Sequence, residues 1–424
     1  MREMKDSGVA WIGEVPLDWT IIPTKYLFNI ESGATPRSEN PDYFDGDIVW
    51  ITPADYKTKD VYISAGKRYL TKNGFDSCSA VVVPAGSIIF TKRAPIGNVA
   101  ICATELCTNQ GCLSCVPKAG DSTKFFYYLM SICTDAYNLL GSGTTFKEIS
   151  AFSFANFILI RPMLQEQQKI AAYLDKQTAQ VDALITNIQT QIEKLKAYKQ
   201  SMITEVVTKG LDPTVPMKDS GVEWIGEIPK HWSVIPSKFL FANCDERRRE
   251  GDVQLTASQK YGMISQEEYM RRENARIVLA DKGLENWKHV EPFDFVISLR
   301  SFQGGLEMSE VPGCATWHYI ILRARQRIHP YYYKWLFKSS MYITTLQRTC
   351  NYIRDGQDLR YSNFVKVPLC IPTLYEQQKI ADFLDRKCAK IDHLITLKQS
   401  KIEKLEQYKR SLIYEYVTGK REVI

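Results

Sequence analysis

Residues 4–28 of the chain read MKDSGVAWIGEVPLDWTIIPTKYLF, and residues 217–241 read MKDSGVEWIGEIPKHWSVIPSKFLF. The two lines are identical at 17 of 25 positions, at an offset of 213 residues. A second duplicated block relates residues 164–208 to residues 374–418, at an offset of 210 and with 26 of 45 positions identical. The stretches between these blocks share almost no obvious identity. The chain therefore has the order A block, variable segment, B block, twice over, which indicates one scaffold that carries two different surfaces.

The duplicated B blocks carry a heptad repeat of apolar residues. The predicted seam residues are Leu174, Val181, Ile185, Ile188, Ile192 and Leu195 in the first copy and Leu384, Ile391, Ile395, Ile402, Leu405 and Leu412 in the second. Thr178 and Lys199 interrupt the first seam, and Lys398 and Lys409 interrupt the second. Because Glu and Lys are frequent between the apolar rows, the pattern predicts two coiled-coil helices.

The ends of these helices are also signalled in the sequence. Thr373 followed by Glu376 is typical of an N-cap with its capping-box partner. Gly210 and Pro213 predict the end of the first helix, and Gly419 predicts the end of the second. A helix of about 45 residues is roughly 65 Å long, too long to bury against one small domain. We therefore expect the two helices to pair with each other, antiparallel and within the chain; the alternative is that they only dimerise the protein.

The variable segments contain short apolar runs separated by Gly and Pro, a pattern typical of α+β domains. In the first segment we expect strands at residues 48–52, 80–83, 87–91 and 157–160 and a helix around residues 124–140. In the second we expect strands at residues 295–298 and 319–323 and a helix around residues 330–346.

The predicted fold is α+β, with two globular domains separated by two long helices that pair as an intramolecular antiparallel coiled coil, and with a pseudo-twofold internal repeat. The predicted bounds are 1–163 for the first domain, 164–210 for the central helix, 211–216 for a linker, 217–373 for the second domain and 374–424 for the C-terminal helix. We refer to residues 1–163 as the first head and to residues 217–373 as the second head.

The composition narrows the class of protein. The chain has 424 residues, of which 45% are hydrophobic and 24% charged, which is typical of a globular protein of about two to four domains. No stretch approaches the roughly 18 apolar residues of a membrane span, and the N-terminus has mixed charges with no apolar core behind it. We therefore expect a soluble, cytoplasmic protein that does not enter a membrane. Eleven irregularly spaced cysteines indicate reduced, mostly buried thiols.

Positive charge is concentrated in the second head. The net charge of the whole chain is +6, but the first head carries −1 and the second carries +4, with 13 arginines in the second. Arginine offers a planar fork that matches phosphate and guanine better than the point charge of lysine. The excess favours an anionic partner, although a run of charges is more often a solvated face.

One local pattern recurs in both heads despite their low identity. Residues 88–97 read IIFTKRAPIG and residues 295–304 read FVISLRSFQG, so that a buried strand leads to a hydroxyl, then an arginine, then a glycine four residues later. Arg93 and Arg300 occupy the arginine position. An arginine at a strand exit can reach a phosphate or a guanine edge, and the alternative is a surface arginine in an ordinary loop.

Several kinds of chemistry have no sequence support. No glycine-rich phosphate loop followed by Lys-Ser or Lys-Thr occurs, and the five histidines form no acid-base constellation. Cys102, Cys107, Cys112 and Cys115 lie close together, but only the last pair has the spacing of zinc ligands. We therefore expect a binding protein with no catalytic residues, no metal site and no cofactor of its own.

The duplicated motifs resemble those of a known family. These are SGVAWIGEVP at residues 7–16 and SGVEWIGEIP at residues 220–229, EQQKIA at residues 166–171 and 376–381, and the link VTKGLDP at residues 207–213. Together they resemble the specificity subunit of type I restriction-modification enzymes over essentially the whole chain. The resemblance implies that each head is a target-recognition domain for one half of a bipartite, asymmetric site on double-stranded DNA. It implies that the helices fix the unread spacer between the halves.

The resemblance also implies partner proteins. Two methylation subunits would dock on the helices, bring S-adenosylmethionine and methylate adenine N6, and restriction subunits would translocate and cut DNA with ATP and Mg²⁺. No family motif fixes the residues that touch DNA, so each candidate is a separate hypothesis. The candidates are Lys92, Arg93, Lys147, Arg247, Arg248, Arg249, Arg271, Arg272 and Arg300.

Two other classes of function remain open from the sequence. A self-contained DNA-modifying enzyme would modify or cut DNA as a purified chain. A coiled-coil adaptor that does not bind DNA would show no salt-dependent affinity for it.

Overall fold

A computed structural model describes residues 2–56, 60–118, 120–143, 147–277, 280, 282–298, 301–349 and 359–423. The chain forms two compact units. The first unit consists of residues 1–189 and 399–424, and the second unit consists of residues 190–398. Each unit therefore contains one head, the first part of one long helix and the last part of the other.

The first unit contains twelve named strands and the start of a long helix. Its strands are β1 Met4–Asp6, β2 Glu14–Pro16, β3 Thr20–Pro23, β4 Phe28–Ser32, β5 Phe44–Ile51, β6 Tyr62–Ile63, β7 Arg68–Leu70, β8 Ile88–Thr91, β9 Val99–Cys102, β10 Cys107–Thr108, β11 Cys112–Pro117 and β12 Ile158–Arg161. Its helices are α1 Thr24–Leu27, α2 Lys72–Asp76, α3 Thr123–Ser131, α4 Thr134–Leu140, α5 Ala151–Ala155 and residues 164–189 of α6 Leu164–Lys209.

Strand β8 lies at the centre of a five-stranded sheet with the order β4, β11, β8, β9, β6. All four residues of β8 are buried, because both faces of the strand are covered. Phe90 packs on Tyr137 and Phe154, with ring centroids 4.9 and 4.4 Å away, whereas Ile89 belongs to a separate apolar cluster with Ile51. A continuous apolar run is what a strand buried on both faces requires.

The second unit repeats this plan with different strand lengths. Its strands are β13 Met217–Asp219, β14 Glu227–Pro229, β15 Ser233–Ile235, β16 Phe241–Cys244, β17 Leu255–Ser258, β18 Gly262–Ser265, β19 Lys288–Val290, β20 Phe295–Ile297, β21 Glu307–Met308, β22 Gly313–Ala315, β23 Ile320–Ala324 and β24 Leu369–Ile371. Its helices are α7 Ser237–Leu240, α8 Gln266–Glu273, α9 Ser301–Gly304, α10 Pro330–Leu336, α11 Ser340–Arg348, α12 Tyr361–Phe364 and residues 374–398 of α13 Leu374–Val417.

The core of the second unit is built around one phenylalanine. Strands β16, β23, β20 and β21 form a sheet in that order. Phe241 contacts Phe295, Tyr333, Phe337 and Phe364, with ring centroids 5.4–6.0 Å apart. Three of these contacts are edge-on and the one with Phe337 is tilted, and aromatic contacts of this kind add to the free energy gained by burying each ring.

The duplicated A and B blocks meet through a tryptophan and a glutamate. In the first unit the Nε1 of Trp19 donates to the Oε2 of Glu166 over 2.9 Å. In the second unit the Nε1 of Trp232 donates to the Oε1 of Glu376 over 3.0 Å. Glu376 also accepts from the backbone N–H and the hydroxyl of Thr373, which confirms the predicted capping box. The shared residues of the two repeats therefore make the same contact twice.

A glutamine next to each glutamate ties the long helix to the variable segment. Gln167 donates to the carbonyl of Pro162 and accepts from the N–H of Ser122, at 2.9 and 2.8 Å. Gln377 donates to the carbonyl of Pro372 at 2.9 Å and accepts from the N–H of His329 at 2.8 Å. Both glutamines are buried, so these bonds are made away from water.

The glycines that end the long helices lie against the A blocks. Gly419 has a φ of +71°, and a Cβ at this position would lie 2.5 Å from Pro16 in the first unit. Gly210 has a φ of +80°, and a Cβ would lie 3.3 Å from the ring of Trp232 in the second unit. Left-handed backbone and close packing both favour glycine here.

Within each unit the two long helices pair in antiparallel orientation. In the first unit Lys409 binds Asp182 at 2.6 Å and Tyr416 donates to Tyr173 at 3.2 Å, so that residue numbers rise along one helix as they fall along the other. In the second unit Lys199 binds Asp392 at 2.6 Å and Lys398 donates to Gln191 at 2.5 Å. The lysines that interrupt the predicted seams therefore bind polar residues of the opposite helix, which fixes the pairing register.

Most of the predicted seam residues are buried. The buried seam residues are Leu174, Val181, Ile185, Ile188, Ile192, Leu384, Ile391 and Leu412. The half-buried ones are Leu195, Ile395, Ile402 and Leu405. The predicted fold class, with two α+β domains and two long paired helices, is confirmed.

Some of the predicted elements were wrong in detail. Residues 80–83 form no strand, because Val83 makes only an isolated bridge with Leu106 while Val81 and Val82 are exposed. The helix predicted around residues 124–140 is two helices, α3 and α4, and the one predicted around residues 330–346 is α10 followed by α11. Within the described residues, no helix is both long enough and apolar enough to cross a membrane.

Candidate nucleic-acid interface

In the first head, strand β8 ends in a tight loop that places two cations side by side. The hydroxyl of Thr91 donates to the carbonyl of Pro95 over 2.6 Å and accepts from the N–H of Asn98 over 2.9 Å. The hydroxyl predicted to be part of the recurring pattern therefore closes the loop. Lys92 and Arg93 begin this loop, directly after the buried strand.

A single carboxylate lies between these two cations. The Nζ of Lys92 is 2.8 Å from the Oε1 of Glu148, and the Nη1 of Arg93 is 3.5 Å from its Oε2. Lys147 is exposed and forms no hydrogen bond or ion pair with any residue that the structure describes. The structure therefore brings Lys92 and Arg93 together at Glu148. Lys147 precedes Glu148 in the chain, and we call these four residues the Glu148 cluster.

In the second head, the arginine run 247–249 lies in a loop held by carboxylates and carbonyls. Arg249 binds Glu246 at 2.5 Å and Glu291 at 2.8 Å. Arg247 donates to the carbonyl of Asn286 at 2.9 Å. Arg248 is half-buried, and its side chain has no ion pair in the described part of the chain. Hydrogen bonds from Arg249 lower the pKa of Glu246, so this carboxylate stays charged opposite the arginines.

Behind this loop lies a buried network of ionisable groups. The Nδ1 of His289 is 2.8 Å from Asp252, and its Nε2 is 3.0 Å from Glu291. Arg323 binds Asp294 at 2.7 Å, and Asp294 is almost fully buried. The hydrogen bonds that Arg323 donates to Asp294 raise the pKa of Arg323, so the pair stays ionised. Arg323 therefore stabilises the head. A count of charged residues alone would assign it to a basic surface.

Arg271 and Arg272 share one carboxylate on helix α8. They bind Glu268 at 2.7 and 2.6 Å, and the hydrogen bonds from Arg271 and Arg272 lower the pKa of Glu268 to about 2. Arg272 also lies over the ring of Tyr261, with its Cζ 4.9 Å from the centroid. The Nζ of Lys260 is 4.7 Å from the same centroid.

This half-buried aromatic residue with two cations was missed in the sequence. Lys260 and Tyr261 lie in the turn between β17 and β18, and Gly262 closes the turn with a φ of +73°. A Lys-Tyr-Gly turn between two short apolar runs is a signal that was present in the sequence. Aromatic rings next to cations are common where proteins contact nucleic acids.

Comparison with known proteins gives the family. A family model described as the type I restriction modification DNA specificity domain matches residues 16–194. The specificity subunit of the type I restriction enzyme MjaIX from Methanocaldococcus jannaschii is 32% identical over 296 residues, which cover 68% of this chain and 63% of that protein. The HindI specificity subunit from Haemophilus influenzae is 25% identical over 169 residues, which cover 38% of this chain and 37% of that protein.

The chain belongs to the family of type I restriction specificity subunits. It spans less than two thirds of the length of the curated relatives named above. These relatives are named specificity subunits, in agreement with the prediction of a specificity subunit rather than an enzyme. The resemblance found in the duplicated motifs is confirmed.

A solved structure agrees with the fold of this specificity subunit. It comes from work on complex assembly and conformational transition of the type I R-M system, and it matches with a TM-score of 0.68. The match covers 95% of this chain and 98% of that chain at 15% identity. At this identity the likeness shows the fold alone.

The predicted counterpart of Arg93 in the second head is Arg300, which lies outside the described residues. The strands before the two arginines correspond, since β8 and β20 are both buried and both interior in their sheets. The segments after them differ in structure. Ser298 donates its N–H to the hydroxyl of Ser301 over 2.8 Å, where helix α9 begins, whereas Thr91 closes a loop.

The clustered cysteines of the first head are buried in its interior. Burial raises the pKa of the Cys102, Cys107 and Cys112 thiols to about 12, so they stay protonated at neutral pH. In the part of the chain that the structure describes, no group of three or more His, Cys, Asp or Glu side chains is placed to hold a metal ion.

Proposed function

We propose that this chain is the DNA recognition subunit of a type I restriction-modification complex, in which each head reads one half of a bipartite, asymmetric site. The duplicated A and B blocks make the same Trp–Glu contact in both units, whereas the two heads carry different basic clusters. A repeated frame with unlike surfaces is what reading two different half-sites requires. This difference between frame and surface is the observation that carries the proposal.

In this proposal the target-recognition domains are residues 1–163 and 217–373. Residues 164–210 and 374–424 supply the helices, and residues 211–216 link the two repeats. The paired helices keep the unread spacer constant, because an α-helix has a fixed rise per residue and the polar seam pairs prevent slippage.

DNA contacts in the first head come from the Glu148 cluster. Arg93 is half-exposed, and most of its donors have no partner among the described residues, which suits a guanine edge, whereas the exposed Lys147 suits a phosphate. In the second head, Arg272 and Lys260 lie over the ring of Tyr261 and form the corresponding contact surface. Arg247, Arg248, Arg249 and Arg271 contact phosphates around it.

The proposal includes two methylation subunits, one for each repeat. Leu184 and Leu394 occupy equivalent positions in the two B blocks, and both side chains are about half exposed. Tyr198 and Tyr408 are likewise equivalent and exposed. The two leucines directly precede seam residues, the two tyrosines directly precede lysines that interrupt the seam, and all four side chains are exposed. Exposed apolar residues that recur in both repeats favour one partner protein that binds twice.

Methylation of adenine N6 with S-adenosylmethionine, and cleavage with ATP and Mg²⁺, belong to the partner subunits in this proposal. The chain itself supplies binding and orientation, and the complex works in the cytoplasm. Relatives of this chain are named as specificity subunits of type I restriction enzymes, which supports this division of labour.

The partner surface can be tested with serine substitutions. Leu184→Ser and Leu394→Ser are each expected to remove one methylation subunit from the complex, as measured by its native mass. Leu397→Ser is the matched control, because Leu397 is exposed but its counterpart in the first repeat is Asn187. Loss of a methylation subunit in the Leu397 variant as well would contradict the assignment.

The recognition function can be tested by expressing the chain with its methylation subunit and mapping methylated adenines across a genome. We expect a split motif whose two halves are separated by a constant gap. A single continuous motif would contradict the division of recognition between two heads. Methylation or cleavage of DNA by the purified chain alone would contradict its assignment as a recognition subunit.

A further inference from the structure

Glu148 differs from an ordinary surface acid because its backbone is fixed on both sides. Its N–H donates to the carbonyl of Ser142 over 2.9 Å, and its own carbonyl accepts from the N–H of Ser142 over 3.0 Å. The next residue, Ile149, is fully buried and donates its N–H to the carbonyl of Lys92 over 3.0 Å. The carboxylate is therefore held at the base of the loop that carries Lys92 and Arg93.

The two cations are held unequally by this carboxylate. Lys92 is 2.8 Å from Glu148 and its side chain is only 17% exposed, so it forms a close and partly desolvated pair. Arg93 is 3.5 Å away and its side chain is 35% exposed. A guanidinium has five N–H donors, and a single contact at this distance leaves the others free for a ligand.

We propose that Glu148 is a specificity-determining residue of the first head, which occupies Lys92 and leaves Arg93 as the cation that meets DNA. This inference rests on the proposed DNA-recognition function. A free Lys92 would add a contact to any phosphate, and phosphate contacts raise affinity for all sequences equally. With Lys92 neutralised, a larger share of the binding free energy of this head comes from Arg93, which can distinguish one base pair from another.

The test is the variant Glu148→Gln, which keeps the size of the side chain and removes its charge. We expect the complex that carries it to bind a mixed-sequence duplex without the mapped site roughly fivefold more tightly than the wild type. The slope of log affinity against log salt should become steeper by about 0.9, the value for one additional phosphate contact. The ratio of affinities for the mapped site and for the mixed-sequence duplex should fall by the same factor.

Glu105→Gln is the matched control. Glu105 is an exposed acid of the same head that has no ion pair with the described residues, so its removal changes the net charge of the head equally. An equal rise in affinity for both variants would show a general charge effect and overturn the proposal. Unchanged or weaker binding by the Glu148 variant would overturn it as well.

A double variant distinguishes release of Lys92 from damage to the loop. In a Lys92→Ala background, Glu148→Gln should no longer raise affinity for the mixed-sequence duplex, because the cation that it releases is absent. A rise that persists in this background would overturn the role of Lys92. If the wild-type complex fails to bind DNA in a salt-dependent way, the proposed function itself is wrong. Equal binding by wild type and variant would overturn only the role of Glu148.

Discussion

The two heads are attached to equivalent parts of a repeated frame, yet their cations are held differently. In the first head, one carboxylate serves Lys92 and Arg93, and Lys147 is exposed without a partner among the described residues. In the second head, Arg249 and Arg323 bind carboxylates that include the buried Asp294. The net charges of −1 and +4 therefore overstate how much more cation the second head offers to a ligand. The duplicated A and B blocks therefore make the same contacts in both units. The variable segments differ in sequence, and their cations form different ion pairs.

The largest expected effect is on stability, and it tests whether the duplicated A and B blocks are equivalent in the two units. Trp19→Ala and Trp232→Ala each remove a fully buried indole and its hydrogen bond to a glutamate. We expect each to lower the free energy of unfolding of its unit by about 3–5 kcal/mol, measured by urea unfolding followed by far-UV circular dichroism. Trp317→Ala is the control, because Trp317 is 55% exposed and should matter little. A large effect at only one of the two buried tryptophans would break the equivalence.

The next effect distinguishes a structural arginine from a binding one. Arg323→Ala leaves the buried Asp294 without its main partner, and we expect a loss of about 3 kcal/mol in unfolding free energy. The value is at the low end for a broken buried pair because Arg323 keeps some contact with solvent. Arg325→Ala, at an exposed position of the same segment, serves as the control. Equal stability of both variants would show that the Asp294 pair contributes nothing.

Arg93→Ala should change stability little and DNA affinity more, the opposite of Arg323→Ala. The pair with Glu148 is long and partly exposed, so stability should change by less than about 0.5 kcal/mol. Affinity for the mapped DNA site should fall by about 1–3 kcal/mol, with tolerance for changed base pairs confined to one half of the site. Fluorescence anisotropy with duplexes altered in either half measures this directly. A uniform loss across both halves would contradict base reading by Arg93.

The smallest effect concerns Lys147. Because an exposed lysine suits phosphate rather than a base edge, Lys147→Ala should weaken binding to all sequences by about 1 kcal/mol or less. The salt slope should become shallower by about 0.9, with the preference between half-sites unchanged. Lys118→Ala, at another lysine of the first head, should leave the slope as it is. A change in preference at Lys147 would reassign it to base reading.

The parts of the fold that depend on local sequence or on the repeat could be predicted. The heptad seam, the capping box at Thr373 and the central strands β8 and β20 follow from spacing that is visible within each segment. The partners of Gln167 and Gln377 could not be predicted, because Ser122 and His329 lie in segments that share no pattern. Their bonds depend on tertiary packing.

The candidate site was predictable only as a set of residue types. Glu148 lies 55 residues from Arg93, so nothing local signals that the two meet. Arg323 is one of the 13 arginines that make the second head basic, yet Asp294, in the loop between β19 and β20, binds it. Composition counts charges, whereas ion pairing between distant segments decides which of those charges can meet a ligand.

The most direct test of separate reading by the two heads is to compare methylation maps of paired variants. Complexes with Arg93→Ala in the first head and Arg272→Ala in the second would be expressed with the same methylation subunit, and methylated adenines mapped genome-wide. We expect each variant to relax a different half of the split motif while the gap between the halves stays constant. Relaxation of the same half by both variants, or a changed gap, would contradict the account.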